Sequence, residues 1–203
     1  MFESVFNLLG TVGMFVFAIS GGIVAIRKEM DIIGIIFVAF LPAIGGGTLR
    51  DICLDVPVFW LENDRALWTS LAGGFAAYFF YPFWTKLRPL VWADAVGLSI
   101  FAPLGAAKAM QLGHGFFVVV LMGVLTAIAG GLLRDIVCNE KNLLMREDIY
   151  ATAAIVGSAV LFGCVTFGLP MNISLVIAVL TTFIIRGSGI VFKYTLPKYR
   201  ERG

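Results

Sequence analysis

The sequence predicts an all-α membrane protein with seven transmembrane helices, arranged as two inverted three-helix repeats plus a seventh helix. The first reason is composition: 60% of the 203 residues are hydrophobic and only 14% are charged, whereas a soluble domain carries about 25% charged residues. The second is that the apolar residues form long uncharged runs, and roughly 20 such residues cross the hydrocarbon core of a bilayer as a helix. The third is an internal repeat. We therefore expect residues 1–203 to form a single transmembrane domain in the lipid bilayer.

Charged or turn-forming residues mark the ends of the predicted spans. The first five spans lie between residues 3 and 27, 31 and 50, 65 and 86, 91 and 110, and 115 and 133. Residues 149 to 185 contain no charge and are too many for one crossing. Gly168, Pro170 and Asn172 are expected to divide this run into spans six and seven, because glycine and proline interrupt helices and asparagine favours turns.

The basic residues predict the orientation of the chain, because cytoplasmic loops of membrane proteins carry an excess of lysine and arginine. Three basic residues, Arg50, Arg65 and Lys108, fall on one side of the predicted spans, and Arg186 lies inside span seven. Eleven fall on the other side: Arg27, Lys28, Lys86, Arg88, Arg134, Lys141, Arg146, Lys193, Lys198, Arg200 and Arg202. We expect an inner-membrane protein whose N-terminus is outside and whose C-terminus is cytoplasmic.

The polar residues exclude several classes of protein. A net charge of +2 without a basic face offers no surface for nucleic acid. The cysteines Cys53, Cys138 and Cys164 form no CxxC pair, and His114 is the only histidine, so neither a disulfide framework nor a zinc site is expected. The serines have no histidine partners that would suggest a catalytic constellation. We therefore expect a protein that is not an enzyme and that has no cofactor.

An internal repeat appears when the sequence is shifted against itself by 84 residues. Residues 41–52 then align with residues 125–136, and nine of the twelve positions are identical. This alignment predicts a first repeat at about residues 5–84, a second at about 89–168 and a seventh helix at about 172–192. Because three spans are an odd number, the second repeat enters the membrane from the opposite side, as in transporters built from inverted repeats.

Small residues cluster at equivalent places in spans two and five. The residues concerned are Pro42, Gly45, Gly46, Gly47 and Thr48 in the first repeat and Ala129, Gly130 and Gly131 in the second. Proline removes a helix donor and glycine weakens a helix, so we expect both helices to kink or break here. Unpaired backbone is tolerated in a membrane only beside protein or water, and bared carbonyls can hold a small cation. The alternative is that these glycines only allow neighbouring helices to pack closely.

These two explanations predict different behaviour for Gly46→Leu and Gly130→Leu. If the glycines face a cavity, leucine should narrow that cavity while helix content and stability hold or rise. If the glycines lie between touching helices, leucine should force the helices apart and cost about 1–3 kcal/mol.

The charged residues near the ends of the spans also admit two explanations. Arg50-Asp51 and Arg134-Asp135 occupy equivalent places in the two repeats. Each pair either stops its helix at the membrane interface, with arginine extending to the headgroups, or forms a charged vestibule or a clamp between repeats. Lys108 and Arg186 are expected to extend toward the aqueous face, with a role in sensing or gating as the alternative.

The doubled glycine block with Arg50-Asp51 and Arg134-Asp135, followed by Glu147-Asp148-Ile149-Tyr150-Ala151, resembles the prokaryotic trimeric intracellular cation channels, the TRIC family. The resemblance covers about residues 5 to 195. It implies a homotrimer in which each subunit has its own pore, lined around kinked helices two and five. It also implies conduction of monovalent cations, mainly potassium, with no bound metal other than the permeating potassium or sodium ion. Lys108 is then the candidate gating residue, and Ala129 departs from the usual third glycine.

The main alternative to a channel is a secondary transporter of a small solute such as glycine, since inverted repeats with broken helices suit both. A transporter is expected to carry buried carboxylates or several polar groups within the membrane for ion coupling. Spans two and five show none at mid-membrane, which favours a channel. A structural or assembly protein is the remaining alternative.

Overall fold

The computed structural model describes residues 2–84, 89–140 and 149–194, and within these ranges every regular element is a helix. The helices are α1 (Phe2–Arg27), α2 (Ile32–Cys53), α3 (Phe59–Glu62), α4 (Arg65–Phe79), α5 (Tyr81–Trp84), α6 (Pro89–Gln111), α7 (Phe116–Val137), α8 (Ala151–Thr166) and α9 (Met171–Phe192). Five of them, α1, α2, α6, α7 and α9, are long and apolar enough to cross a membrane. The predicted all-α membrane fold is confirmed at this level.

The predicted division between the last two helices is confirmed. Helix α8 ends at Thr166, and Gly168 adopts φ +89°, a backbone conformation that glycine reaches without steric cost. The Gly168 amide donates to the Val165 carbonyl at 3.0 Å, which ends the helix in a tight turn. Pro170 then caps the start of α9, and Asn172 lies in its first turn.

The third predicted span is wrong in one respect, because it is interrupted. Helix α4 ends at Phe79 and the short helix α5 begins at Tyr81. Pro82 has no amide hydrogen to donate to the Tyr78 carbonyl, so the helix cannot continue unchanged. The 15 residues of α4 rise about 22 Å at 1.5 Å per residue, which is less than the hydrocarbon thickness of about 30 Å.

Four helices, α1, α2, α6 and α7, pack against one another at the centre of the molecule. Helix α4 packs on α1 and α2, helix α8 packs on α6 and α7, and α9 packs on α6 and α8. Small residues allow close approach, as is usual between membrane helices: a side chain on Gly73 would meet Ala18, and one on Gly157 would meet Thr182.

Several of the closest central contacts join positions that the 84-residue shift makes equivalent. The rings of Phe17 and Phe101 are 5.2 Å apart between centroids, and these two positions align in the repeat. A side chain on Gly13 would meet Phe101, while one on the equivalent Gly97 would meet Phe17. Each of these contacts made by the first repeat therefore has a counterpart made by the second.

Neither helix breaks at its glycine cluster, and a kink there stays a prediction. Helix α2 is continuous from Ile32 to Cys53, and α7 is continuous from Phe116 to Val137. Packing against neighbouring helices outweighs the weak helix propensity of glycine. Pro42 has no amide hydrogen, so the Val38 carbonyl lacks its usual helical donor. Gly21 of α1 packs directly against that carbonyl, where a side chain would not fit.

Candidate functional site

A cavity of about 290 Å³ lies among the four central helices, toward the end of α2 and the end of α6. Its exposed rim includes Asn63, Arg65 and Gln111, and its inner part reaches Phe101 and Thr126. The described residues that line it are Phe6, Asn7, Gly10, Thr11, Met14, Pro42, Ala43, Gly47, Arg50, Phe59, Asn63, Arg65, Ala66, Phe101, Leu104, Lys108, Gln111 and Thr126. The cavity is thus formed inside one subunit and opens at one end.

A buried carboxylate beside the cavity forms ion pairs with two basic side chains. Asp51 is fully buried, and its Oδ1 accepts hydrogen bonds from Arg50 Nε and from Lys108 Nζ, each at 2.8 Å. Its Oδ2 accepts the backbone amide of Phe59 at 3.0 Å. Asp51 therefore joins α2, α6 and the short helix α3 at one point.

The position of Lys108 corrects the expectation that it extends into water. Its Nζ is held at Asp51 in a 2.8 Å ion pair, and its side chain is 24% exposed. The reason is the buried Asp51 carboxylate, which lies 57 residues away in sequence and offers a charged partner that lipid headgroups would otherwise supply. Of the two explanations for Arg50-Asp51, the geometry favours the clamp, because Asp51 and Lys108 belong to different predicted repeats.

The short helix α3 covers the end of α2. Trp60 Nε1 donates to Thr48 Oγ1 at 2.9 Å, and Thr48 Oγ1 donates to the Ile44 carbonyl at 2.8 Å. The guanidinium of Arg50 lies 5.9 Å from the centroid of the Phe59 ring, a cation–π arrangement. Thr48 is therefore occupied by structural hydrogen bonds, and it is not among the residues that line the cavity.

Some residues of the predicted glycine site lie between packed helices, and others line the cavity. Gly46 and Gly130 lie where α2 crosses α7: a side chain on Gly46 would meet the Thr126 carbonyl, and one on Gly130 would come within 2.6 Å of the Pro42 carbonyl oxygen. Position 126 is the equivalent of position 42, so this contact is reciprocal. These surroundings favour the explanation that the two glycines allow α2 and α7 to pack closely.

The remaining predicted small residues have separate surroundings. Gly47 and Pro42 line the cavity, whereas Gly45 faces the Leu133 side chain. Ala129 is buried, and Gly131 faces the carboxylate of Asp94, whose Oδ1 would lie 3.3 Å from an added Cβ. Only Pro42 and Gly47 of the predicted set therefore contact the cavity.

A second charged cluster lies at the other end of the central helices, around Arg134. This arginine is fully buried, and its Nε donates to Asp135 Oδ1 at 2.8 Å. One of its terminal nitrogens donates to Ser20 Oγ of α1 at 2.9 Å and lies 3.6 Å from Asp94 Oδ1 of α6. Arg134 and Asp135 thus connect α7 to both α1 and α6.

Arg186 does not extend toward water, which corrects the sequence-based expectation. It is fully buried, and its guanidinium carbon lies 5.1 Å from the centroid of the Tyr150 ring. One terminal nitrogen donates to the Ile149 carbonyl at 3.5 Å. Tyr150 and the beginning of α8 therefore provide the partner that the sequence alone could not identify.

Sequence reasoning missed Asp94, Ser20 and Phe59. Asp94 had a usable signal, since it is a carboxylate inside an apolar span and such residues are functional candidates by default. It is fully buried, as is Asp51, and Asp135 is only 3% exposed. Asp51 and Asp135 lie in the last turns of α2 and α7 and not at mid-membrane, so the expectation for spans two and five is not contradicted. The burial of all three carboxylates nevertheless weakens the argument against a transporter.

Comparison with known proteins identifies the family. The family model described as "Glycine transporter" matches residues 7–82 and again residues 91–166, so its two matches are offset by the same 84 residues as the internal repeat. A solved structure of the TRIC trimeric intracellular cation channel orthologue from Rhodobacter sphaeroides is 38% identical, with a TM-score of 0.89 over 94% of this chain and 100% of that one. The chain belongs to the prokaryotic TRIC family.

Two further relatives agree with this assignment. A solved structure described as "Structural basis for conductance through TRIC cation channels" is 34% identical, with a TM-score of 0.86 over 97% of this chain and 98% of that one. The UPF0126 inner membrane protein YadS of Escherichia coli K12 is 34% identical over 94% of both chains. In this TRIC-family chain, each charged cluster joins residues from both matched segments: Asp51 with Lys108, and Arg134 with Ser20.

Proposed function

We propose that this chain is a channel for monovalent cations, selective for potassium, with a pathway inside each subunit that follows α2 and α7. The observation that carries the proposal is the cavity, which lies within a single chain among the four central helices. The relatives with solved structures are described as cation channels. Potassium or sodium ions would be the permeant species, and no cofactor is required.

The Phe17–Phe101 pair would form the closed constriction of the proposed pathway. Phe101 lies at the inner end of the cavity, and Phe17 packs against it and is fully buried. Beyond Phe17, one helical turn along α1, Ser20 contacts the Arg134 cluster. Apolar constrictions close pores by excluding water, so separation of the two rings would connect the cavity with that cluster.

The proposed architecture is two inverted three-helix repeats with α9 added, assembled as a homotrimer in the inner membrane. The reciprocal contacts of Phe17 with Phe101, and of Gly46 and Gly130 across the α2–α7 crossing, support a two-fold relation, because such an axis makes each contact occur twice with the partners exchanged. The trimer is supported by the solved relative from Rhodobacter sphaeroides, which is described as trimeric. Arg50, Asp51, Lys108, Arg134 and Asp135 would then control the two ends of the pathway.

The alternative function is secondary transport of a small solute such as glycine. It is favoured by the description of the matching family model and by the burial of Asp51, Asp94 and Asp135, since buried carboxylates commonly mark ion-coupling sites in membranes. The two functions differ in what drives flux: a channel passes potassium down its gradient alone, whereas a coupled transporter requires its solute.

We expect purified protein in liposomes to pass potassium down an imposed gradient with no second substrate, measured with a potassium-sensitive dye. A version without Cys53, Cys138 and Cys164 but carrying Thr11→Cys should lose flux after treatment with a charged thiol reagent, because Thr11 lines the cavity. Leu180→Cys is the matched control, since Leu180 is 55% exposed on α9. Potassium flux that appears only with added glycine would replace the channel by the transporter.

We expect the C-terminus to be cytoplasmic and the N-terminus outside, because eleven basic residues fall on one side of the spans and three on the other. A reporter that is active only in the cytoplasm should give signal when fused after Arg202. Signal from a fusion in the turn between Gly168 and Asn172, with none after Arg202, would reverse the proposed orientation.

A further inference from the structure

The lining of the cavity carries an excess of positive charge. Three of its described residues are cationic, namely Arg50, Arg65 and Lys108, and none of the described residues in the lining is acidic. Asp51, which is fully buried and outside the lining, forms ion pairs with Arg50 and Lys108. Asp51 is thus shared by two of the three cations, and the lining itself carries positive charge without a carboxylate.

Arg65 differs from the other two cations of the lining because it has no carboxylate partner among the described residues. It is the first residue of α4, where the positive end of the helix dipole disfavours a cation. Its backbone amide is satisfied by Asn63 Oδ1 at 2.9 Å, so only the side chain is available to a partner. Within the described part of the chain, no carboxylate forms an ion pair with it, and its side chain is exposed at the rim.

The other lining residues suit a small ligand with several oxygens. Asn7, Asn63 and Gln111 supply neutral amide donors around the cations. The volume of about 290 Å³ lies at the lower end of small-molecule pockets, which span roughly 300–1,000 Å³. This size fits a carboxylate or phosphate compound of a few heavy atoms.

We propose that this cavity is a binding site for a small soluble anion with carboxylate-type or phosphate-type oxygens. Arg65 and Lys108 would hold the anion, and Arg50, which is paired with Asp51, would lie beside it. Arginine and lysine form short, charge-assisted hydrogen bonds with such oxygens. A bound anion offsets the positive potential that otherwise repels cations from this end of the pathway. That effect on flux rests on the proposed channel function, whereas binding itself does not.

Binding is tested without any measurement of flux. The full-length protein in neutral detergent is titrated with sodium phosphate, and separately with sodium acetate, in exchange for sodium chloride at constant ionic strength. The readouts are tryptophan fluorescence, to which Trp60 beside the cavity contributes, and the midpoint of thermal unfolding. We expect a saturable response to phosphate or acetate in the unmodified protein.

Two cavity variants and one control identify the site. Arg65→Gln and Lys108→Met should each weaken the apparent affinity about tenfold, a loss of about 1.4 kcal/mol per variant. Arg65→Gln is expected to fold normally because that side chain is exposed. Arg27→Gln, an exposed arginine at the opposite end of α1, should bind as the unmodified protein does.

Three outcomes would overturn the proposal. The first is a response that rises linearly without saturation, which is a general salt effect. The second is an equal response in the Arg65→Gln, Lys108→Met and Arg27→Gln variants. The third is a response to phosphatidylglycerol vesicles but none to soluble phosphate or acetate, which would assign the positive charge to lipid headgroups.

Discussion

Gly130→Leu is expected to destabilise the protein by about 1–3 kcal/mol or more, and Gly46→Leu by a similar amount. Each glycine lies where α2 crosses α7, and an added Cβ on Gly130 would come within 2.6 Å of the Pro42 carbonyl oxygen. The obstacle is backbone, which cannot move aside as a flexible side chain can, so the helices must separate. Flux should be lost together with folding. The measurement is thermal or denaturant unfolding in detergent, made alongside potassium flux.

Alanine gives the sharpest form of this test, because it adds only the Cβ. Gly130→Ala should still destabilise the protein, whereas Gly163→Ala in α8, where nothing lies within 4 Å of the added atom, should leave stability unchanged or raise it by about 0.4–1 kcal/mol. If Gly130→Leu instead kept its stability while losing flux, the glycine would line the pathway after all.

The glycine clusters show why part of the site was predictable and part was not. Their doubled register is visible in the sequence and agrees with the reciprocal contacts at the α2–α7 crossing. Whether such glycines break a helix or admit a neighbouring one depends on the distance between helices, and local propensity carries no information about that distance. Pro42 lies inside a continuous helix, and Gly21 of another helix covers the Val38 carbonyl that Pro42 leaves without its helical donor.

The charged residues were also predictable only in part. Arg50-Asp51 and Arg134-Asp135 could be found by shifting the sequence against itself, but their partners could not. Lys108 reaches Asp51 from α6 and Ser20 reaches Arg134 from α1, and positions 108 and 20 are not equivalent in the repeat. The symmetric pairs are therefore completed by unlike residues, which only the folded structure reveals. The interruption of the third span, in contrast, could have been predicted from Pro82.

The largest single loss of stability is expected from Asp51→Asn, which should lower the free energy of unfolding by about 3–5 kcal/mol. The substitution preserves the shape of the side chain but removes the charge that Arg50 and Lys108 share through Oδ1. Arg50 is then left as a buried cation without a counter-ion. The asparagine NH2 group, which only donates, replaces either the oxygen that accepts from Arg50 and Lys108 or the oxygen that accepts from Phe59. Because Lys108 is 24% exposed and can turn toward water, the loss should lie near the lower end of this range.

A double variant separates the ion pair from general disruption. Asp51→Asn combined with Lys108→Met should be more stable than the sum of the two single losses predicts, with a coupling energy of about 0.5–3 kcal/mol. The matched control is Glu140→Gln, which breaks the ion pair that Lys28 makes at 3.1 Å between side chains 34% and 36% exposed. Exposed pairs of this kind contribute about 0–1 kcal/mol, so that variant should unfold almost as the unmodified protein does. Equal losses for Asp51→Asn and Glu140→Gln would mean that Asp51 does not hold α2 and α6 together, and the clamp between the two halves of the chain would have to be abandoned.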